Sequence, residues 1–378
     1  MAKKRKRILF IDIGTPMGGV ETYLLGLATM LGDHADLFAV CVLPELAEAM
    51  RREGVRVYVT PAFGGMLKPL RFLAALAVAV GVIIWQSIDV VQMNGMLESI
   101  FLIPARILGR ETVYSRHGPF EKDVYSWFRS PHKYFPRLAS RMLVRLSTNT
   151  VSVSETVGRD LESILPVERA RVIPNWVSKI PEMPRDLNET DPNRLEILYV
   201  GRLERYKGLH LLIEALRGVP RVKLTVVGDG PYRKELEAMA EGLDVEFAGF
   251  RKDPEVFYAR TDIFVMPSMG PEGLPMVCLE AMGHGLPCVF SSLDVHHEIT
   301  EGGNAALLFD NGHSEVLVEQ LRQLLADSAL RVEYGRRARE LVLRKYHPAA
   351  ARRAYLAVFG VGGEILTGSN RVAENLGY

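Results

Sequence analysis

At 378 residues, and roughly 150 residues per domain, the chain has room for two to three full-sized domains. Its 48% hydrophobic and 24% charged residues, with 33 Gly and 21 Pro scattered rather than periodic, exclude a disordered or fibrous protein. The three cysteines, Cys41, Cys278 and Cys288, form no Cys-x-x-Cys pair and carry no His at ligand spacing. This argues against a disulfide framework or a structural zinc site and for a reducing, cytoplasmic compartment. The net charge of +1 conceals a division. Residues 1–180 hold 23 Lys and Arg against 16 Asp and Glu, a balance of +7, and the remainder holds 23 against 29, a balance of −6. Such a split implies that the first half meets something anionic.

The basic start, Lys3 to Arg7, runs directly into the strand-like Ile8–Gly14, whose apolar stretch is too short for a signal peptide. Val/Ile-rich runs follow at Leu37–Leu43, Val55–Thr60, Asp89–Asn94, Thr112–His117 and Thr150–Ser154, with helical patterns between them. One of these patterns contains the longest uncharged apolar run, Phe72 to Trp85, which falls short of the roughly 18 to 20 residues needed to span a bilayer. Pro174, Pro181, Pro184 and Pro192, set among polar residues, read as a linker. The plan then repeats at Ile197–Gly201, Lys223–Gly228, Val245–Phe250, Asp262–Ser268, Cys288–Ser292 and Ala306–Asp310. Helical patterns at Ser314–Asp327 and Leu330–Arg353 and a Gly-containing tail from Ala354 close the chain. Strands alternating with helices predict an α/β protein of two Rossmann-like, doubly wound domains facing across a cleft, with ligands at the carboxyl ends of the strands.

Three segments at such strand ends carry chemistry. Gly18-Gly19-Val20-Glu21 follows the first strand and opens a helix; it offers close backbone approach and free N–H groups to an anion, or is a tight turn with no ligand. The glycine spacing is not that of a dinucleotide site. Arg202 and Lys207 stand five apart just past a strand end, where both can reach one diphosphate; otherwise they are two solvated cations. Glu272, Gly273, Leu274 and Pro275 lead into a helix carrying Glu280. Pro275 suits a first helical position, and two carboxylates there can accept bonds from two sets of hydroxyls, or simply decorate a helix face.

Taken in order, Gly18-Gly19-Val20-Glu21, Ser154-Glu155, Val172-Ile173-Pro174-Asn175, Gly201-Arg202-Leu203 with Lys207-Gly208, Val227-Gly228-Asp229-Gly230-Pro231 and Glu272 to Glu280 to Gly285-Leu286-Pro287 resemble the retaining glycosyltransferases of family 4, glycosyl transferases group 1, with the GT-B fold. The resemblance implies an acceptor-side domain over 1–175, a linker over 176–193 and a nucleotide-sugar domain over 194–345. It leaves 346–378 as a helix and tail expected to pack back on the first domain. Arg202 and Lys207 would bind the donor diphosphate, Glu280 the ribose, and Glu272 with the Gly273 and Leu274 amides the donor sugar, with Pro275 starting the helix. Gly18 and Gly19 would approach the diphosphate from the opposite domain, His117 would sit beside the transferred sugar, and Phe250 and Arg251 would lie near the base.

The implied reaction moves a sugar from a UDP- or GDP-sugar to a glycan or lipid-linked acceptor in envelope polysaccharide, lipopolysaccharide or glycolipid synthesis. The anomeric configuration is retained, no metal is needed, and the leaving phosphate takes the acceptor's proton. The sequence lacks Asp-x-Asp, the usual metal-diphosphate pair of the other main glycosyltransferase fold. It also departs from the family where many members carry a Gly-rich donor loop, having Ser291-Ser292-Leu293-Asp294-Val295-His296-His297-Glu298, which leaves the sugar open; the adjacent His296 and His297 are not read as a metal site. An epimerase, a hydrolase or an inactive nucleotide-sugar binding module on the same plan are the rival readings, and nucleic acid is not an expected partner. Arg129, Lys133, Arg137, Arg141 and Arg145, interleaved with large apolar residues, predict a basic amphipathic helix. It either packs on the core with a solvated face or, through Arg137, Arg141 and Arg145 and together with Lys3–Arg7 and the Phe72–Trp85 run, holds the first half peripherally on an anionic membrane surface, the inner face of the cytoplasmic membrane.

Overall fold

The computed structural model describes residues 5–13, 18–61, 68–95, 98–119, 143–164, 170–187, 191, 194–310 and 314–362. The stretch expected as a basic helix lies outside them up to residue 142, and with it Arg137 and Arg141, while Arg145 is described and exposed. Contacts gather the chain into two compact units, Met1–Ser115 with Phe135–Val151 and Ala349–Tyr378, and Arg116–Tyr134 with Ser152–Pro348.

The Val/Ile-rich runs form parallel strands. β1 (Lys6–Asp12), β2 (Ala35–Cys41), β3 (Arg56–Val59), β4 (Val90–Met93), β5 (Glu111–Arg116), β6 (Asn149–Ser152) and β7 (Arg171–Val172) make a sheet in the order β3-β2-β1-β4-β5-β6-β7. Ile8, Leu9, Phe10 and Ile11 of β1 are all fully buried, because a parallel strand flanked by helices on both faces has no solvent side. The second sheet consists of β8 (Leu195–Val200), β9 (Val222–Val227), β10 (Val245–Gly249), β11 (Ile263–Met266), β12 (Cys288–Ser291) and β13 (Leu307–Phe309), ordered β10-β9-β8-β11-β12-β13. In each sheet the chain reverses its direction of growth at the first strand, between β1 and β4 and between β8 and β11, and this reversal is where a doubly wound sheet opens a crevice. The architecture is α/β with two parallel, Rossmann-like sheets.

In the second unit, the helix Met276–Gly283 lies against the long helix Ser328–Lys345. A Cβ at Gly335 would fall 2.1 Å from the Gly285 carbonyl oxygen, so glycine permits that close approach. The proline-rich segment is held on this unit. Arg339 donates to the carbonyls of Gly283 (2.7 Å) and Pro181 (2.6 Å), Arg185 pairs with the buried Asp262 at 2.8 Å, and Val177 N–H donates to Tyr346 O at 3.0 Å. The single helix expected over Leu330–Arg353 is two, Ser328–Lys345 and Pro348–Phe359. Proline disfavours helical geometry in the residue before it and lacks the N–H that would continue the ladder, so the break falls at Tyr346-His347. Asp327 caps the first of the pair by accepting from Leu330 N–H at 3.0 Å.

Candidate functional site

The site grows from the crevice of the second sheet. β8 ends at Val200, and the chain passes through a single turn, Arg205–Lys207, before the helix Leu209–Leu216 begins. Gly208 joins the two with φ +70°, the left-handed region that glycine enters without a Cβ penalty, and a Cβ there would lie 1.8 Å from Pro267 O. The neighbouring loop, which follows β11, is laced to this turn: Met269 and Gly270 N–H both donate to Tyr206 O, at 2.7 and 3.1 Å. Two loops are thereby fixed side by side, and the side chains they deliver meet.

Those side chains are Lys207 and Glu272. Lys207 Nζ lies 2.6 Å from Glu272 Oε1, with the side chains only 12% and 3% exposed. Burial works against the charge of the Lys207 amine, but Glu272 and Tyr206 outweigh it and hold the amine above its usual range. Ser268 Oγ–H donates to the same carboxylate oxygen at 2.9 Å. Ser268 O in turn accepts from Ser291 Oγ–H at 2.6 Å, and Ser291 O from His296 Nδ1 at 2.7 Å. His296 is fully buried, and desolvation pushes its imidazole down to about 4, so it is neutral near pH 7. Its Nδ1 carries the proton, and the adjacent His297 bonds Ser292 Oγ at 2.8 Å instead.

The loop then turns through Gly273 and Leu274 into the helix Met276–Gly283, capped by Pro275 in extended geometry. A Cβ at Gly273 would fall 1.9 Å from His117 O, so only glycine lets the two backbones come so close. Ser154 Oγ–H donates to Gly273 O at 2.9 Å and Asn175 Nδ2–H to Leu274 O at 3.0 Å, both from buried side chains. The carbonyls of the loop are occupied in this way; Cys278 N–H donates to Pro275 O at 3.1 Å, while Met276 and Val277 N–H, the first two of the helix, have no carbonyl a turn earlier to bond. An ammonium beside a helix N-terminus is a cradle for an anion.

Of the residues singled out from sequence, His117, Lys207, Glu272, Gly273, Leu274 and Pro275 converge here. Burial first, and then the Arg116 guanidinium, push the His117 imidazole down to about 3, so it too is neutral. Glu280 lies further along the helix, where burial raises its carboxyl and Tyr258 O–H donates to Oε2 at 3.0 Å. Arg202 is not drawn in: its side chain is 57% exposed and held by Glu204 at 2.9 Å. Phe250 and Arg251 are exposed just beyond β10, two strands from β8. Gly18 and Gly19 belong to the first unit, where Gly18 precedes the helix Gly19–Leu31 and its N–H donates to Glu21 Oε2 at 2.7 Å.

Sequence reasoning assigned no role to Ser154, Asn175, Ser268, Ser291 or Glu298. Glu298 receives Glu155 N–H at 2.8 Å, Thr156 N–H at 2.9 Å and Thr156 Oγ–H at 2.8 Å, placing a carboxylate on the N-terminus of the helix Glu155–Ile164.

Two family models match the chain, "Glycosyltransferase Family 4" over residues 17–179 and "Glycosyl transferases group 1" over residues 182–341. The chain is 37% identical over 247 residues to the sulfoquinovosyl transferase SQD2 of Arabidopsis thaliana, covering 60% of this chain and 47% of that protein. It is 32% identical over 192 residues to LpsE of Rhizobium meliloti, a lipopolysaccharide core biosynthesis glycosyltransferase, covering 49% and 56%. It thus spans about half the length of the curated relatives it matches. Among solved structures, Anabaena HepE in complex with UDP and glucose superposes with a TM-score of 0.79 at 22% identity, covering 94% of this chain and 100% of that one. Sucrose-phosphate synthase from Thermosynechococcus elongatus does so with 0.79 at 16%, covering 94% and 100%. At such identities the likeness is one of fold, and it agrees with the two parallel sheets. With nearly every residue from 17 to 341 matched by one model or the other, the chain belongs to the family 4, or group 1, glycosyltransferases of GT-B fold.

Proposed function

We propose that the protein transfers a sugar from a UDP- or GDP-sugar to a lipid-linked or glycan acceptor, with retention at the anomeric carbon and without a metal ion. One observation carries the reading: a buried lysine–glutamate pair whose glutamate lies on the loop leading into the helix Met276–Gly283, at the switch point of the second sheet. In this reading Lys207 and the first-turn amides hold the donor diphosphate, where charge grows as the sugar–phosphate bond breaks. Glu272 accepts hydrogen bonds from sugar hydroxyls and Glu280 from the ribose. Arg202 swings from Glu204 to a phosphate oxygen; the exposed pair it leaves is worth less than about 1 kcal/mol. Neutral His117 offers a hydrogen bond beside the sugar without competing for the diphosphate's charge.

The acceptor hydroxyl oxygen forms the new bond to the anomeric carbon, the diphosphate departs with the old one, and the departing phosphate takes the hydroxyl proton. Phe250 and Arg251 border the base, and Gly18 and Gly19 offer close backbone approach to a phosphate. A Cβ at Gly19 would meet nothing within 4 Å, so the protein's own packing does not require glycine there. The lipopolysaccharide core biosynthesis role named for LpsE supports an acceptor of envelope or lipid-linked type.

The test is a thermal-shift panel of UDP-, GDP- and ADP-sugars, followed by product analysis. A donor at 100 times its Kd adds about 2.7 kcal/mol of stability. The matching donor is expected to stabilise the wild type, to lose most of that effect in Lys207→Ala, and to yield glycosylated acceptor in EDTA. Donor hydrolysis or epimerisation as the only product, or a strict requirement for a divalent ion, overturns the reading.

A further inference from the structure

We propose that Tyr258 is a positioning residue for the donor: its buried hydroxyl fixes the Glu280 carboxylate so that one oxygen is offered to the ribose, which makes the site prefer ribonucleoside over 2′-deoxyribonucleoside diphosphates. The inference rests on the reading of Glu280 as the ribose acceptor and adds the group that makes that role possible. Tyr258 closes the single turn Glu255–Tyr258, shortly before β11, and is fully buried. Its ring packs on Phe264 of β11 and on His284, at centroid distances of 6.0 and 5.0 Å. A ring held by two aromatic neighbours has little freedom, so the core aims its hydroxyl. That hydroxyl donates to Glu280 Oε2 at 3.0 Å and lies 3.4 Å from Val277 O, about one turn earlier on the same helix. One carboxylate oxygen is thereby tied inward. Among the described residues none donates to the other, Oε1, and Glu280 is only partly buried, so Oε1 is the oxygen left for an incoming hydroxyl.

A carboxyl group accepts hydroxyl bonds at both oxygens only while it is ionised. Burial pushes the Glu280 carboxyl up and favours the protonated form, whereas the Tyr258 O–H bond pulls the other way. The phenol itself stays protonated. Burial, and then the Glu280 charge, hold it well above its usual range, so it can only donate here. The other groups around the carboxylate do not take its place. Lys179 and Glu255, which act on Glu280 in opposite senses, are paired with each other at 2.6 Å. Arg339, from the helix Ser328–Lys345, is committed to the Gly283 and Pro181 carbonyls. Burial lowers the His284 imidazole, whose Nδ1 bonds the main-chain oxygen of Glu280 at 2.8 Å and not its carboxylate. Burial also raises the Cys278 and Cys288 thiols, so both are neutral. Among the described residues, Tyr258 alone donates to the carboxylate.

The experiment is titration calorimetry of the full chain with UDP, GDP and ADP, and with the 2′-deoxy form of each, between about pH 5 and 9. The ratio of ribo to deoxy affinity is read, because the diphosphate's own titration cancels in it. The wild type is expected to prefer one ribonucleotide by about tenfold, as one hydrogen bond to a charged group provides. That preference should fade as pH falls and Glu280 takes up a proton. Tyr258→Phe keeps the ring, and should bring the ratio to within about twofold of unity at neutral pH. The remaining preference should also fade at a higher pH than in the wild type, since the bond that favours ionisation is gone. Glu280→Gln should show neither the preference nor its pH response, and Tyr258→Phe/Glu280→Gln should match Glu280→Gln, which a packing role for Tyr258 would not produce. A preference that survives Glu280→Gln overturns the ribose reading and the inference with it, as does failure of all three ribonucleotides to bind. Loss of preference in Glu280→Gln, with a wild-type ratio and pH profile in Tyr258→Phe, overturns the inference alone.

Discussion

Lys207 and Glu272 neutralise one another in a place neither would occupy alone. A buried ion pair adds little net stability, because desolvating both charges consumes most of their attraction, but stranding one of them is costly. Lys207→Ala should therefore lower the stability of the protein by about 3 kcal/mol, the expected cost of leaving one member of such a pair unpaired. Adding Glu272→Gln should restore most of that loss while donor binding stays as weak as in the single variant, since the amide needs no counter-charge and the cation is gone. Urea denaturation of the two variants separates the effects; if the second substitution deepens the loss instead, the pair is not buried as described. His296, Ser291 and Ser268 support the same carboxylate through three successive hydrogen bonds of 2.7, 2.6 and 2.9 Å.

The strands could be read from the chain because parallel pairing buries both faces, so β1, β8, β11 and β12 show as apolar runs, Ile8–Ile11, Ile197–Val200, Ile263–Met266 and Cys288–Phe290. The loops holding Lys207 and Glu272 could be read too, because an N-terminal helix turn after a strand needs Gly and Pro at fixed places. The supporting side chains could not. Ser154 meets Gly273, and Asn175 meets Leu274, across about a hundred residues of sequence, and serine and asparagine occur too widely for any spacing to betray such pairs. Nor was the clamp on the proline-rich segment visible, since Arg339 reaches Pro181 from a helix whose exposed face carries many arginines. The Gly208 turn combines a legible feature with a hidden one. Its glycine is apparent in the sequence, but the Pro267 carbonyl that would collide with a Cβ lies 59 positions away. Gly208→Ala should then cost about 1–3 kcal/mol, from a left-handed backbone and the forced shift of that carbonyl. It should also diminish donor-induced stabilisation, because the displaced loop is the one that carries Glu272. A melting temperature equal to the wild type would show that the two loops are not locked together.

On the scale of the whole chain, the two units hold buried titratable groups that pull stability in opposite directions with pH. In the first, burial and nearby Asp12 raise Glu21 to about 7 from an ordinary 4.5. Between those values the folded unit keeps a proton that the unfolded chain has released, so its stability is full below pH 4.5 and declines as pH rises through 7. In the second, His117 and His296 are lowered to about 3 and about 4 from 6.5, and burial also lowers His210 and His284. There the unfolded chain binds the extra protons, so stability is full above pH 6.5 and is lost as pH falls toward 4. The raised Glu280 opposes only one of the four histidines. Each unmatched proton contributes at most about 1.4 kcal/mol per pH unit. Hydrogen exchange at pH 5.5 and 7.5, corrected for intrinsic rates, should show the helix Gly19–Leu31 losing protection at the higher pH while the helices Met276–Gly283 and Asp294–Thr300 gain it. Glu21→Gln keeps an oxygen for Gly18 N–H but cannot ionise, and should flatten the first response without altering the second. If all three helices respond in parallel, or if Glu21→Gln changes none of them, Glu21 does not retain its proton in the folded protein.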